Sequence, residues 1–232
     1  MLNHNAYVKP SGFTLVEMAI VLLIVALLLG GLLPTLSGQM EQQRRTETRK
    51  QMDEIKEALI GYALINGYLP CPTTQTDPTN ANFGVAAATC TTAITQEGYL
   101  PWKTLGVSEM DAWGIKRTST TSPWLGYWRY RVEPSFASST VPITLSTTSD
   151  GTLDLQVKDS AGNRLTTLTQ PPVAIFFSTG PNQIANGGNT SYEATTAATY
   201  QADVPGANFD DLTLWISRPV LFNRMVAAGK LP

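Results

Sequence analysis

The chain has 232 residues, with 16 Lys and Arg against 18 Asp and Glu, a net charge of −2 and one histidine. That balance argues against a general nucleic-acid binder, and a mean hydropathy of −0.05 excludes a polytopic membrane protein. His4 is the only imidazole, Cys71 and Cys90 are the only cysteines, and no lysine lies three residues after a serine. These counts remove the H-E-x-x-H zinc site, the zinc ribbon, the iron–sulfur cluster and the S-x-x-K nucleophile, and if the end carrying His4 is cleaved off, as argued below, the Ser-His-Asp triad and the Cys-His pair go too.

The first element is an apolar run, Phe13 to Leu33, with no Lys or Arg and a single acid, Glu17. At about 1.5 Å per residue its 21 residues span the roughly 30 Å hydrocarbon core of a bilayer. A secretory signal peptide is the plain alternative, but no A-x-A-like site follows, and a glutamate near the start of the apolar stretch is unusual there. A carboxylate inside a bilayer costs at least about 2.5 kcal/mol, so Glu17 marks a function or a partner. If the chain were cut between Gly12 and Phe13, the new ammonium on Phe13 would neutralise Glu17 of its own chain or of a neighbour. Pairing with a neighbour would fix the axial register of packed helices. Without the cut, Glu17 has no evident partner in the sequence.

The run Gly12-Phe13-Thr14-Leu15-Val16-Glu17 at the head of an apolar helix resembles the prepilin N-terminus of type IV pilins and type II secretion pseudopilins. The resemblance covers about 25 residues. It implies that prepilin peptidase cleaves after Gly12 and methylates Phe13, and that residues 1–12 are a leader. It also implies a single-pass protein of the bacterial inner membrane with its globular domain in the periplasm. Its partners would be other pilin or pseudopilin subunits, the peptidase and the inner-membrane assembly platform. Pro34 stands where the family often has a helix-kinking proline. Charge alone points the other way. Lys9 and the initial amine face Arg44, Arg45, Arg49 and Lys50 downstream, which by the positive-inside count would leave the large domain in the cytoplasm.

After residues 13–33, the span 34–66 reads as an amphipathic continuation of the same helix. Gly30, Gly31, Pro34 and Gly38 predict a kink or local melting. Met52, Ile55, Leu59, Tyr62 and Ala63 form one apolar stripe, the face expected to pack on the globular domain. The RRTETRK cluster (44–50) reads as a solvated face with alternating charges rather than a nucleic-acid contact, because acids interleave and aromatics do not. Gly67 stops the helix and Pro70 prevents its return. Residues 67–98 form a connecting loop with the Cys pair. In an oxidising compartment Cys71 and Cys90 would close a disulfide; the alternative is two buried thiols.

Residues 99–232 read as a β-rich domain, with candidate strands at 124–132, 143–146, 153–158, 173–179 and 212–217. Continuously apolar VAIFFST predicts a strand covered on both faces. DSAGN (159–163) is a turn candidate. SRPVLFNRMVAAG reads as a short helix that Ser217 can cap, with Pro219 in its first turn and Gly229 at its end. The expected fold is α+β and type IV pilin-like: a long N-terminal helix on an antiparallel sheet, with a short C-terminal helix.

The globular half carries a second, looser resemblance. GYLP (98–101), DAWG (111–114) and YWRYRV (127–132) are similar to the segment of major pseudopilins in which an Asp-x-Trp-Gly turn precedes an aromatic strand. Asp111 is suited to bond the turn's amides, Gly114 to take a positive φ, and Trp113 to act as an anchor. The same pseudopilins carry a calcium loop near their C-terminus. FSTGPNQIANGG followed by FDDLTLW is placed like it, which makes Asp210 and Asp211 candidate calcium ligands, with Asn182, Asn186 or Asp203 adding more oxygens. A hydrogen-bonded Asx loop is the alternative. Trp102, Trp113, Trp124 and Trp128 form either a sugar-binding surface or core anchors.

These features point to a structural subunit, a minor pilin or pseudopilin of a type IV pilus or type II secretion pseudopilus. The size of the mature chain favours a minor or tip subunit. The alternative is a minor pilin acting as a binding module at the filament tip, for a surface, a sugar or DNA. An enzyme without histidine would need a carboxylate pair, and none stands out.

Overall fold

The computed structural model describes residues 12–90, 97–149, 155–191 and 199–232, with no side-chain description at 29–36, Glu97 and Ser191. The chain divides into two compact units, Met1–Gln43 and Arg44–Pro232, joined by a helix that belongs to both. That helix, α1, runs unbroken from Leu15 to Asn66. The expected local melting around Gly30–Gly38 is therefore not seen: the helix is continuous across Pro34, although the proline has no N–H to donate. The Pro34 side chain lies outside the described residues, as do 1–11 of the leader and 153–154 of one candidate strand.

Within the second unit, α1 behaves as its stripe predicts. Met52, Ile55, Leu59 and Ala63 are buried, and Ile60 joins them. Tyr62 is half-buried, edge-on to Tyr68 with ring centroids 5.8 Å apart. The helix ends at Gly67 (φ 81°), whose N–H donates to Ala63 O.

The sheet is built from β1 (Glu97–Tyr99), β2 (Arg129–Val132), β4 (Pro172–Ser178) and β6 (Leu212–Ser217), in the order β1-β2-β4-β6 and antiparallel throughout. Between β1 and β2 lies a single-turn helix, α2 (Trp102–Leu105). Two further strands, β3 (Gln156–Lys158) and β5 (Thr199–Gln201), pair in parallel as a separate ribbon. The last element is α3 (Arg218–Ala227).

The sheet has an apolar layer on each face. On one side, α1 and α3 contribute Ile55, Leu59, Leu221 and Met225, which meet Tyr130, Val132, Phe176 and Ile216. On the other, Leu155, Val157 and Tyr200 of the ribbon region meet Ile175 and Phe177. All seven residues of β4 are buried, which accounts for its unbroken apolar sequence.

Several expectations change. Ile143–Ser146 is a turn rather than a strand, because Thr144 N–H bonds the Thr147 hydroxyl at 2.9 Å and Thr147 N–H returns to Thr144 O at 3.0 Å. The strand expected over 124–132 begins only at Arg129, after Gly126 turns the chain at φ 71°. DSAGN is a turn as expected: Gly162 N–H bonds Asp159 O, and Lys158 bridges Arg164. Ser217 stands at the N-cap of α3, but its side chain makes no capping bond.

Candidate functional site

The head of α1 is built locally. Thr14 precedes the first helical residue, and Glu17 is the third residue of the helix. The Thr14 N–H and hydroxyl both donate to Glu17 Oε2 at 2.9 Å, and Glu17 N–H donates to Thr14 Oγ1 at 3.2 Å. This is a reciprocal capping box, T-x-x-E, which satisfies helix-terminal donors that would otherwise be left open. Glu17 therefore has a partner even in the uncut chain, contrary to the expectation from sequence. The T-x-x-E spacing was the signal that could have revealed it. Glu17 Oε1 keeps no partner among the described residues.

Behind this cap the helix is apolar on all sides, and every described side chain from Gly12 to Leu28 is exposed, Phe13 by 84%. A helix apolar all round is buried in something other than water. Among the described residues no helix is long and apolar enough to cross a membrane.

Residues 9–33 match the prokaryotic N-terminal methylation motif. This is the prepilin-type signal of type IV pilins and pseudopilins, and the α+β architecture, with its N-terminal helix on an antiparallel sheet, is consistent with the type IV pilin fold. No curated protein and no solved structure matches the chain. Gly12, Phe13 and Glu17 lie together within the matched segment, at the start of α1. The RRTETRK side chains that follow are exposed or half-buried, apart from buried Thr48, and Lys50 pairs with Glu54 at 3.7 Å.

The globular unit holds the other predicted residues. Cys71 and Cys90 form a disulfide with Cα atoms 5.6 Å apart. Asp111 organises its turn: Trp113 N–H donates to Oδ1 at 2.9 Å and the Ser178 hydroxyl to Oδ2 at 2.5 Å. Burial raises its carboxyl to about 6 against these bonds. The turn also meets α1, where Ala112 N–H donates to the buried Thr48 Oγ1 at 3.3 Å. Gly114 does not take a positive φ; a Cβ there would lie 2.4 Å from Met110 Cβ, so close approach is what the site demands.

The four tryptophans are anchors. Trp128, Trp113 and Trp102 are buried. Trp124 is half-buried, stacked on Tyr99 at 3.7 Å under the Arg117 guanidinium at 4.0 Å. Such a stack is typical of packing in a core.

The Asp210–Asp211 loop is a hydrogen-bonded Asx network. Asn182 N–H bonds Asp210 Oδ2 at 3.1 Å, while Asn186 N–H and Asn189 Nδ2 both bond Asp211 Oδ2 at 2.9 Å. Asn186 Oδ1 is taken by Asn182 Nδ2 and Asp210 N–H. Asp210 Oδ1, Asp211 Oδ1 and Thr179 Oγ1 are buried without a partner. Calcium takes six to eight oxygens, and among the described residues no group of three or more His, Cys, Asp or Glu is placed to hold a metal.

Proposed function

We propose that the chain is a minor pilin or pseudopilin, a structural subunit of a type IV pilus or type II secretion pseudopilus. In this reading prepilin peptidase cuts between Gly12 and Phe13 and methylates Phe13. Residues 13–33 hold the subunit in the bacterial inner membrane, with the globular unit in the periplasm. Assembly then moves the apolar helix from lipid into a filament core of like helices, so its all-round apolar surface is covered at every stage.

The observation that carries the reading is the matched signal at 9–33, with Gly12, Phe13 and Glu17 in place at the start of a helix exposed on every side. Glu17 spends one carboxylate oxygen on the capping box. The other is left to meet an ammonium, of its own Phe13 or of a neighbouring subunit. An apolar surround makes that pairing selective, because an unpaired carboxylate there is costly. Three of the four tryptophans that suggested the tip-binding alternative are buried, which leaves Trp124 alone half-exposed.

The test is intact mass spectrometry of the membrane-extracted protein, with and without prepilin peptidase. Loss of residues 1–12 together with one methyl group on the new N-terminus is the expected result. An uncut chain, or a cut beyond Leu33, would sink the reading. A Glu17→Ala strain should insert the protein normally and assemble it poorly.

A further inference from the structure

The two edges of the four-stranded sheet are finished differently. At one, β1 is met by Thr73, whose N–H donates to Tyr99 O at 2.9 Å. At the other, the outer backbone groups of Leu212–Ile216 have no partner among the described residues. The β6 sequence LTLWIS has none of the devices that protect an edge: no charge, no proline and considerable β-propensity. Two cavities of about 320 Å3 lie along it. One is lined by Leu212–Leu214 together with Arg49 and Asp53 of α1, Asp203 and Asp211. The other is lined by Trp215, Ser217, Pro219, Leu165 and Gln170 and carries no charge.

The first cavity is walled largely by apolar side chains, Met52, Ala202 and Pro205 among them, and carries three carboxylates against Arg49; Asp203 already accepts the N–H groups of Ser160 and Val204. Asp53 is exposed on the helix, whereas Asp211 is 1% exposed with Oδ1 buried and unpartnered. A buried carboxylate oxygen without a donor is costly unless a cation or a proton reaches it. Burial already pushes the Asp211 carboxyl up to about 7.

We propose that the outer edge of β6 is a docking site for an extended segment of another protein chain, which adds as a fifth strand and carries a Lys or Arg side chain into the cavity between Asp53, Asp203 and Asp211. Main-chain bonds to β6 hold the segment, and alternate side chains read the two cavities, one cationic and the next apolar further along. Charge decides against self-pairing, because the β6 of a second copy would bring Leu, Thr, Trp, Ile and Ser but no cation. The site lies wholly within the Arg44–Pro232 unit and does not depend on the filament reading.

The test uses the full chain in detergent and a fluorescein-labelled peptide, acetyl-Thr-Val-Lys-Val-Thr-Val-Thr-amide, read by anisotropy. The Lys peptide should bind, and its Glu counterpart should bind at least about tenfold more weakly. Asp53→Lys, a substitution on the exposed helix face, should weaken the Lys peptide and restore the Glu peptide. Only every other amide of an added strand faces β6. N-methylation of one alternating set of peptide amides should therefore abolish binding, and methylation of the other set should leave it. No binding at millimolar peptide, equal binding of the Lys and Glu peptides, or the same response to both methylated sets would overturn the proposal. So would a concentration-dependent dimer of the chain that excludes the peptide, which would assign the edge to a second copy.

Discussion

Leu22 and Leu59 lie on the same helix, yet Leu22 is 64% exposed and Leu59 wholly buried. The first belongs to a segment apolar on all sides, the second to a stripe that recurs every three or four residues and faces a sheet. A stripe gains its stability from the chain's own fold. A uniformly apolar surface has no such partner, so its environment must come from lipid or from other chains. Apolar content alone does not separate core from anchor; its angular distribution does.

Four experiments sharpen that contrast. Leu59→Ala should cost about 2–5 kcal/mol of the globular unit's stability in a thermal melt. Leu22→Ala should leave that melt within about 0.5 kcal/mol, and comparable losses from both would dissolve the distinction. Removing the disulfide by Cys71→Ser with Cys90→Ser should cost about 3 kcal/mol, which denaturant titration would read.

Next in size is a pH effect confined to the globular unit. Burial raises the Asp111 carboxyl to about 6 and that of Asp211 to about 7. Each group holds its proton longer folded than unfolded. The stability it contributes is complete below the ordinary carboxylate pKa near 4 and is lost as pH rises through 6 or 7. Tm should therefore be several degrees higher at pH 5 than at pH 8, and Asp211→Asn should flatten the profile above pH 6. A Tm that rises from pH 5 to 8 would contradict both assignments. The smallest effect concerns the helix head. Thr14→Ala should cost about 1 kcal/mol of local helix stability, seen as faster hydrogen exchange at Leu15–Glu17 with the Tm unchanged.

Much of the fold was legible. The α1 stripe, the Gly67 stop, β4, β6, the DSAGN turn and the C-terminal helix all follow from local periodicity and turn chemistry. Strands β1 and β5 were not legible. Each has three residues, too few to show alternation, and each exists because a distant strand supplies its bonds. The parallel pairing of β3 with β5 joins residues 43 apart along the chain, beyond the reach of any local pattern. Ile143 was misread for the opposite reason: β-branched residues suggested a strand, while the neighbouring hydroxyls folded back on their own backbone.

The sequence by itself determined the N-terminal signal. Glycine, phenylalanine, threonine and glutamate stand there within six consecutive residues, and the capping box closes within one turn. Tertiary structure decided what the Asp residues of the globular unit do. Asp111 receives its proton-bearing partner from Ser178, 67 positions away, and Asp211 is buried by Asn186 and Asn189. The edge position of β6 among the described strands was likewise invisible from its sequence, because neighbours are assigned only when the sheet has formed.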